Sequence, residues 1–193
     1  MKPLLLPALL LLLTPWAVAQ EPGTPPPMGG KSQNGIQEKT EKWLLSNESF
    51  VKKAAAAGQT EIDLSKLALE KSQDQNVKAF AERMVKDHSA AAEKLQTIAR
   101  SKGLPLPEGE PRAEKSESQK LEKLSGADFD REYGKVMRKD HDKAVKLFTA
   151  AAGSQKLDPE LRQFAEQTLP TLREHQQQAK GLPGHDHASA AGS

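Results

Sequence analysis

Val77-Lys-Ala-Phe-Ala-Glu-Arg-Met-Val-Lys-Asp-His88 is the stretch on which the reading of this chain turns. Val77, Phe80, Ala81, Met84, Val85 and His88 fall at i, i+3, i+4 and i+7, which gathers them on one face of an α-helix. The face continues through Ala91, Ala92, Leu95, Ile98 and Ala99 to a stop at Gly103. A helix is therefore predicted from about Gln75 to Ser101, entered through the cap Ser72-Gln73-Asp74. Two echoes follow in the sequence. Val77-Lys-Ala-Phe-Ala-Glu82 returns as Leu161-Arg-Gln-Phe-Ala-Glu166, and Met84-Val-Lys-Asp-His88 returns as Met137-Arg-Lys-Asp-His141. The apolar stripe is thus interrupted twice by a histidine at the same place in a repeated motif.

Working outward, the same periodicity predicts three more helices. The first runs from about Ser49 to Lys71, with Phe50, Ala54, Ala57, Gly58, Glu61, Ser65 and Ala68 on one side. The third covers about Ala127 to Ala152, with Phe129, Tyr133, Val136, Met137, His141, Ala144, Val145 and Phe148 inward. The fourth starts at Asp158-Pro159, a cap followed by proline at the first helical position, and runs to about Lys180. Pro170 lies inside it, where the ring removes a backbone donor and predicts a kink. Four helices of about 22–27 residues are each roughly 33–40 Å long. Only one tyrosine and five phenylalanines are available, so the core is built mainly of Ala, Leu, Val and Met, which suits closely packed helices. The expected fold is all-α, a four-helix bundle of two related hairpins. The connection between its second and third helices, Gly103 to Gly126, carries prolines and a short predicted helix over Glu117–Leu124. It is long enough for the crossover of ferritin-like bundles or for up-and-down packing.

The ends read differently. Lys2, the apolar run Leu4–Leu13 and Ala17-Val18-Ala19 form a secretory signal peptide over residues 1–19. Residues 20–46, rich in Pro and Gly at the start, read as a flexible leader, 47–182 as the bundle domain, and 183–193 as a disordered tail. The chain contains no cysteine, and no later stretch is long and apolar enough to cross a bilayer. With neither a membrane span nor a lipid-modified cysteine, a periplasmic or secreted location is expected. Removing Lys2 with the signal leaves 27 basic and 26 acidic residues, with no basic stripe for nucleic acid. Protein partners are not indicated.

Each predicted bundle helix carries one polar, metal-capable residue on its apolar face: Glu61, His88, His141 and His175. They lie about 12, 13, 14 and 16 residues into their helices, so at 1.5 Å per residue all four fall near mid-bundle in either topology. Three imidazoles and a carboxylate suit one transition metal ion, such as zinc, copper or iron. A hydrogen-bonded polar network in the core is the competing reading. Asp87, Asp140 and Glu174 each precede a histidine. Because i and i+1 point about 100° apart, they belong at the bundle margin, as outer partners orienting an imidazole or as solvated acids. A di-iron centre needs Glu-x-x-His on two helices, whereas Val85, Arg138 and Leu172 stand three residues before the histidines. No nucleophile with a matched base and no phosphate loop is present.

Phe50, Glu61, Val77-x-x-Phe80-Ala-x-x-Met84-x-x-Asp87-His88, Gly126-x-x-Phe129-Asp130-x-x-Tyr133, His141, Phe164-Ala165 and Leu169-Pro170-x-Leu172-x-x-His175 together resemble the domain of unknown function 4142 family. The resemblance covers about Ser49 to Leu182. It implies an exported bacterial protein with a ferritin-like four-helix bundle, and it implies no activity. The functions carried forward are metal handling or stress protection through a metal inside the bundle, and a non-catalytic envelope interaction or stress-response role with a structural polar core. A metal-dependent redox enzyme is the weakest reading, because the carboxylate-rich motifs and cysteines are missing.

Overall fold

The computed structural model describes residues 46–107 and 112–184. The predicted signal peptide, the leader up to residue 45 and the tail from His185 lie outside the described residues. Among the described residues there are five helices and no strand: α1 (Asn47–Lys71), α2 (Gln75–Ser101), α3 (Arg112–Glu122), α4 (Gly126–Ala152) and α5 (Pro159–Ala179). Caps written in the sequence start three of them. The Ser46 side chain accepts from the Ser49 N–H, Asp74 accepts from Asn76 and Val77, and Asp158 accepts from Glu160. Each cap satisfies an amide that the first helical turn would otherwise leave unpaired.

The chain is all-α and folds as a ferritin-like four-helix bundle of α1, α2, α4 and α5. Its topology follows from contacts at the helix ends. Lys71, at the end of α1, donates to the Leu124 carbonyl at 3.0 Å just before α4 begins, so α1 and α4 are antiparallel. Lys102, after α2, bridges Asp158 at 2.9 Å and Glu160 at 2.6 Å where α5 begins, so α2 and α5 are antiparallel too. The Asp158 N–H donates to Asn47 Oδ1 at 2.9 Å, which sets the starts of α1 and α5 side by side. The direction sequence is up, down, down, up, and Lys102 and Ser125 stand at opposite ends of the bundle. This is the crossover alternative. Helix α3 rides on that connection and is fastened by Leu121, which is fully buried. It begins and ends earlier than the predicted Glu117–Leu124, because Ser116 lies inside the helix instead of capping it.

The apolar interior has two halves. Phe50, Leu95, Phe148, Leu161, Phe164 and Leu172 anchor one, where Phe50 meets Phe148 edge-on at 5.3 Å. Leu64, Phe80, Met84, Phe129, Tyr133 and Met137 anchor the other. Each large side chain removed from water contributes roughly 1.5–3 kcal/mol. The second half is closed by the end of α5 and the residues just after it, of which the sequence reading assigns only Pro183 to the tail. Arg138 donates to the carbonyls of Ala179 and Leu182 at 3.1 Å and of Pro183 at 3.2 Å. That close approach depends on Gly134, since a Cβ there would overlap the Pro183 carbonyl. Pro170 sits within α5, and the helix continues through it to Ala179.

Candidate metal centre

Between the two apolar halves lies one polar layer made by Glu61 of α1, His88 of α2, His141 of α4 and His175 of α5. Their exposures are 2, 7, 0 and 0 %. Each helix delivers its residue there because the apolar face on which it lies is turned to the bundle axis. The three imidazoles form a nearly equilateral triangle, with ring centroids 5.3, 5.5 and 5.8 Å apart. One ring nitrogen from each lies within 4.8 Å of the others. Phe80 covers one side of the triangle, its ring 6.3 Å from those of both His141 and His175.

Every ring has one nitrogen engaged by the protein. The His141 Nδ1–H donates to the Met137 carbonyl one turn earlier at 2.8 Å, which fixes that tautomer. His175 Nε2–H donates to Asp87 Oδ2 at 3.0 Å. His88 Nδ1 lies 3.2 Å from Glu61 Oε2, while the other Glu61 oxygen is 3.5 Å from His141 Nδ1. The second nitrogens, Nε2 of His88, Nε2 of His141 and Nδ1 of His175, are buried without a hydrogen-bond partner. Buried polar atoms are nearly always paired, so these three nitrogens, with Glu61 Oε1 as a fourth unpartnered atom in the layer, are the groups able to hold a ligand. Glu61 stands outside the three-histidine set and touches the Nδ1 edges of two of its members.

Charge at the layer is suppressed. Burial, reinforced by the negative charge of Asp140 and partly offset by Lys143, pushes the Glu61 carboxyl up to about 8. Burial, with the neighbouring His141 and His175, pulls His88 down to about 3. Burial also brings His141 down to about 4 against the opposing Met137 carbonyl, and lowers His175 against the opposing Asp87. At neutral pH the layer thus holds three neutral imidazoles, the form that can ligate a metal. Asp87 behaves oppositely. Burial works against its charge, but hydrogen bonds from His175 and Arg83 hold its carboxyl below the ordinary value. Arg83 in turn pairs with Glu174, so a chain Glu174–Arg83–Asp87–His175 joins the surface to one imidazole.

Of the three acids beside histidines, Asp87 orients a histidine, that of α5 and not its own neighbour. Asp140 pairs with Lys143 at 2.8 Å, and Glu174 meets Arg83. The Met137 carbonyl and Arg83 went unnoticed in the sequence. The i, i+4 pair Arg83/Asp87 was the one available signal. Next to the layer, Ser65 and Tyr133 share a buried hydrogen bond of 2.8 Å, and burial pushes the Tyr133 phenol up.

The chain belongs to the DUF4142 family, described as a domain of unknown function, whose model matches residues 32–182. No curated protein matches the sequence. Among solved structures, a DUF305 fragment from Deinococcus radiodurans is similar with a TM-score of 0.62 at 20 % identity, over 70 % of this chain and 93 % of that one. A DUF305 protein of Streptomyces coelicolor, described as a candidate for secretion, has a TM-score of 0.60 at 13 % identity, over 72 and 92 %. The copper(II)-bound form of CopM has a TM-score of 0.59 at 20 % identity, over 70 and 94 %. At these identities the likeness establishes the fold. No described helix is long and apolar enough to cross a membrane.

Proposed function

Taking membership of the DUF4142 family as the starting point, we propose that the protein is an exported metal-handling bundle that holds one transition metal ion through His88, His141 and His175. The observation that carries this reading is the set of three buried imidazole nitrogens, one per ring, each without a partner and gathered in one layer. In a purely structural network those atoms would be paired, because an unsatisfied buried polar atom costs about 1–3 kcal/mol. Ligand bonds of about 2.0–2.1 Å require the rings to draw together by roughly an ångström on binding. Three imidazoles without thiolate or carboxylate favour copper or zinc over iron, which in such bundles is held mainly by glutamates. The copper- and silver-bound forms of CopM, a bundle of the same fold, support copper as the first metal to test.

Glu61 and Asp87 act as outer partners in this reading. Ligation through His88 Nε2 leaves the proton on Nδ1, where a Glu61 carboxyl oxygen accepts it, and the Asp87 carboxylate does the same for His175 Nε2–H. In this reading the role is binding. The Ala17-Val18-Ala19 cleavage pattern supports export to the periplasm or beyond.

The test uses untagged mature chain carrying His185→Ala and His187→Ala, titrated with copper, zinc, iron and manganese. Uptake of one ion per chain with a rise in melting temperature, abolished in His88→Ala and His141→Ala, is the expected result. Equal uptake by wild type and both variants, or no uptake of any of the four, overturns the reading in favour of a polar core.

A further inference from the structure

The Phe50-side half of the bundle contains a cavity of about 40 Å³ directly against the polar layer. Its walls on α1 and α2 are small residues, Ala54, Ala57 and Gly58 facing Ala91 and Ala92, and the aromatic and aliphatic side chains of α4 and α5 close the far side. Glu61 and His88 are its main polar wall. Both are more than nine-tenths buried, and both carry an atom with no partner, Glu61 Oε1 and His88 Nε2. Thr168 also lines the space, but its hydroxyl is spent on the Phe164 carbonyl at 2.7 Å. A larger cleft between α1 and α4 reaches Glu61 as well, yet no histidine belongs to its lining.

Three histidines leave a tetrahedral ion one position short, which is the arrangement of metal sites that exchange a water or a substrate. Phe80 belongs to the other apolar half, with its ring 6.3 Å from those of His141 and His175, so the side of the triangle toward this cavity is the one left for the free position. A water needs about 10–15 Å³ of such space, so the cavity suits a guest of roughly one to three heavy atoms. We propose that this cavity is the seat of an exogenous ligand, a water, hydroxide or small linear anion, bound to the open position of the ion. The inference rests on the metal reading above. His88 supplies the ligand nitrogen beside the guest, Glu61 offers it a hydrogen-bond partner, and the alanine and glycine walls set its size. Anything as bulky as imidazole is excluded.

The experiment loads the same histidine-free-tail chain with copper(II), confirms one ion per chain, and then titrates azide and, separately, imidazole by absorption spectroscopy. Azide is expected to produce a saturable charge-transfer band, and imidazole is expected to leave the spectrum unchanged. Gly58→Leu and Ala92→Leu each fill the cavity from a different helix. A Cβ at Gly58 meets His88 Nδ1 at an ordinary 3.9 Å, so the first added carbon fits beside the ring. Each variant should keep its copper and lose azide affinity by on the order of tenfold. Imidazole binding as well as azide, no azide response from copper-loaded wild type, or unchanged azide affinity in both copper-loaded variants overturns the inference. The wild-type comparison of azide with imidazole stands even if a filled variant does not fold. Absence of copper at the first step overturns the metal reading itself and this inference with it.

Discussion

Raising the pH should weaken the metal-free fold through one carboxyl group. Glu61 is 2 % exposed, and its carboxyl is pushed from 4.5 up to about 8. A folded-state value above the unfolded one means that the folded protein holds the proton more tightly. The associated stability is fully present below pH 4.5 and is lost as pH rises toward about 8. His88 and His141 run the other way. Their values fall from 6.5 to about 3 and about 4, so the stability they contribute is present above pH 6.5 and is lost as pH drops through that range. The two effects overlap, and comparison with Glu61→Gln, which has no proton to lose, separates them. At about 1.36 kcal/mol per pH unit, wild type should lose about 2 kcal/mol relative to Glu61→Gln between pH 6.5 and 8.5. Urea unfolding of both proteins, metal-free and at half-unit pH steps, measures this difference directly. A difference that stays flat from pH 5 to pH 9 would refute a protonated Glu61 in the polar layer.

Two further substitutions probe neighbouring parts of the structure. Asp87→Asn removes the charge that accepts from His175 Nε2–H, so copper affinity measured by calorimetry should fall about 10–100-fold with the helical content retained. An unchanged affinity would make Asp87 a surface acid. Gly134→Ala forces a methyl group against the Pro183 carbonyl and should cost about 1–3 kcal/mol, read as a lower urea midpoint. An unchanged midpoint would mean that residues 182–184 move aside freely.

The helices were legible because Val77, Phe80, Met84 and their counterparts repeat at helical spacing and because Ser72-Gln73-Asp74 and Asp158-Pro159 mark helix starts. Placing Glu61, His88, His141 and His175 at one level needed only the rise per residue, and the structure puts all four in one layer. The topology was not legible. An amphipathic pattern says which face is buried and not which helix it meets, so the crossover appeared only through Lys71 at Leu124 and Lys102 at Asp158. The division of labour within the layer was hidden for the same reason. Glu61 looked equivalent to the histidines from depth alone, yet its oxygens face the Nδ1 edges of His88 and His141. Asp87 stands next to His88 in sequence but serves His175 across the bundle. The packing of Pro183 on α4 depended on the absence of a side chain at Gly134, which no periodicity records.

The two apolar halves cut across the order of the chain, and this bears on how the protein assembles. Chain continuity pairs α1 with α2 and α4 with α5, but each half draws residues from all four of these helices. A single hairpin can complete neither half, so its exposed apolar face gains little before the second hairpin docks. Docking then creates both halves and the polar layer in one event. Unfolding is accordingly expected as a single cooperative transition. A fragment ending at Lys102 should show little stable structure by itself, and the two hairpins supplied as separate chains should fold only when mixed.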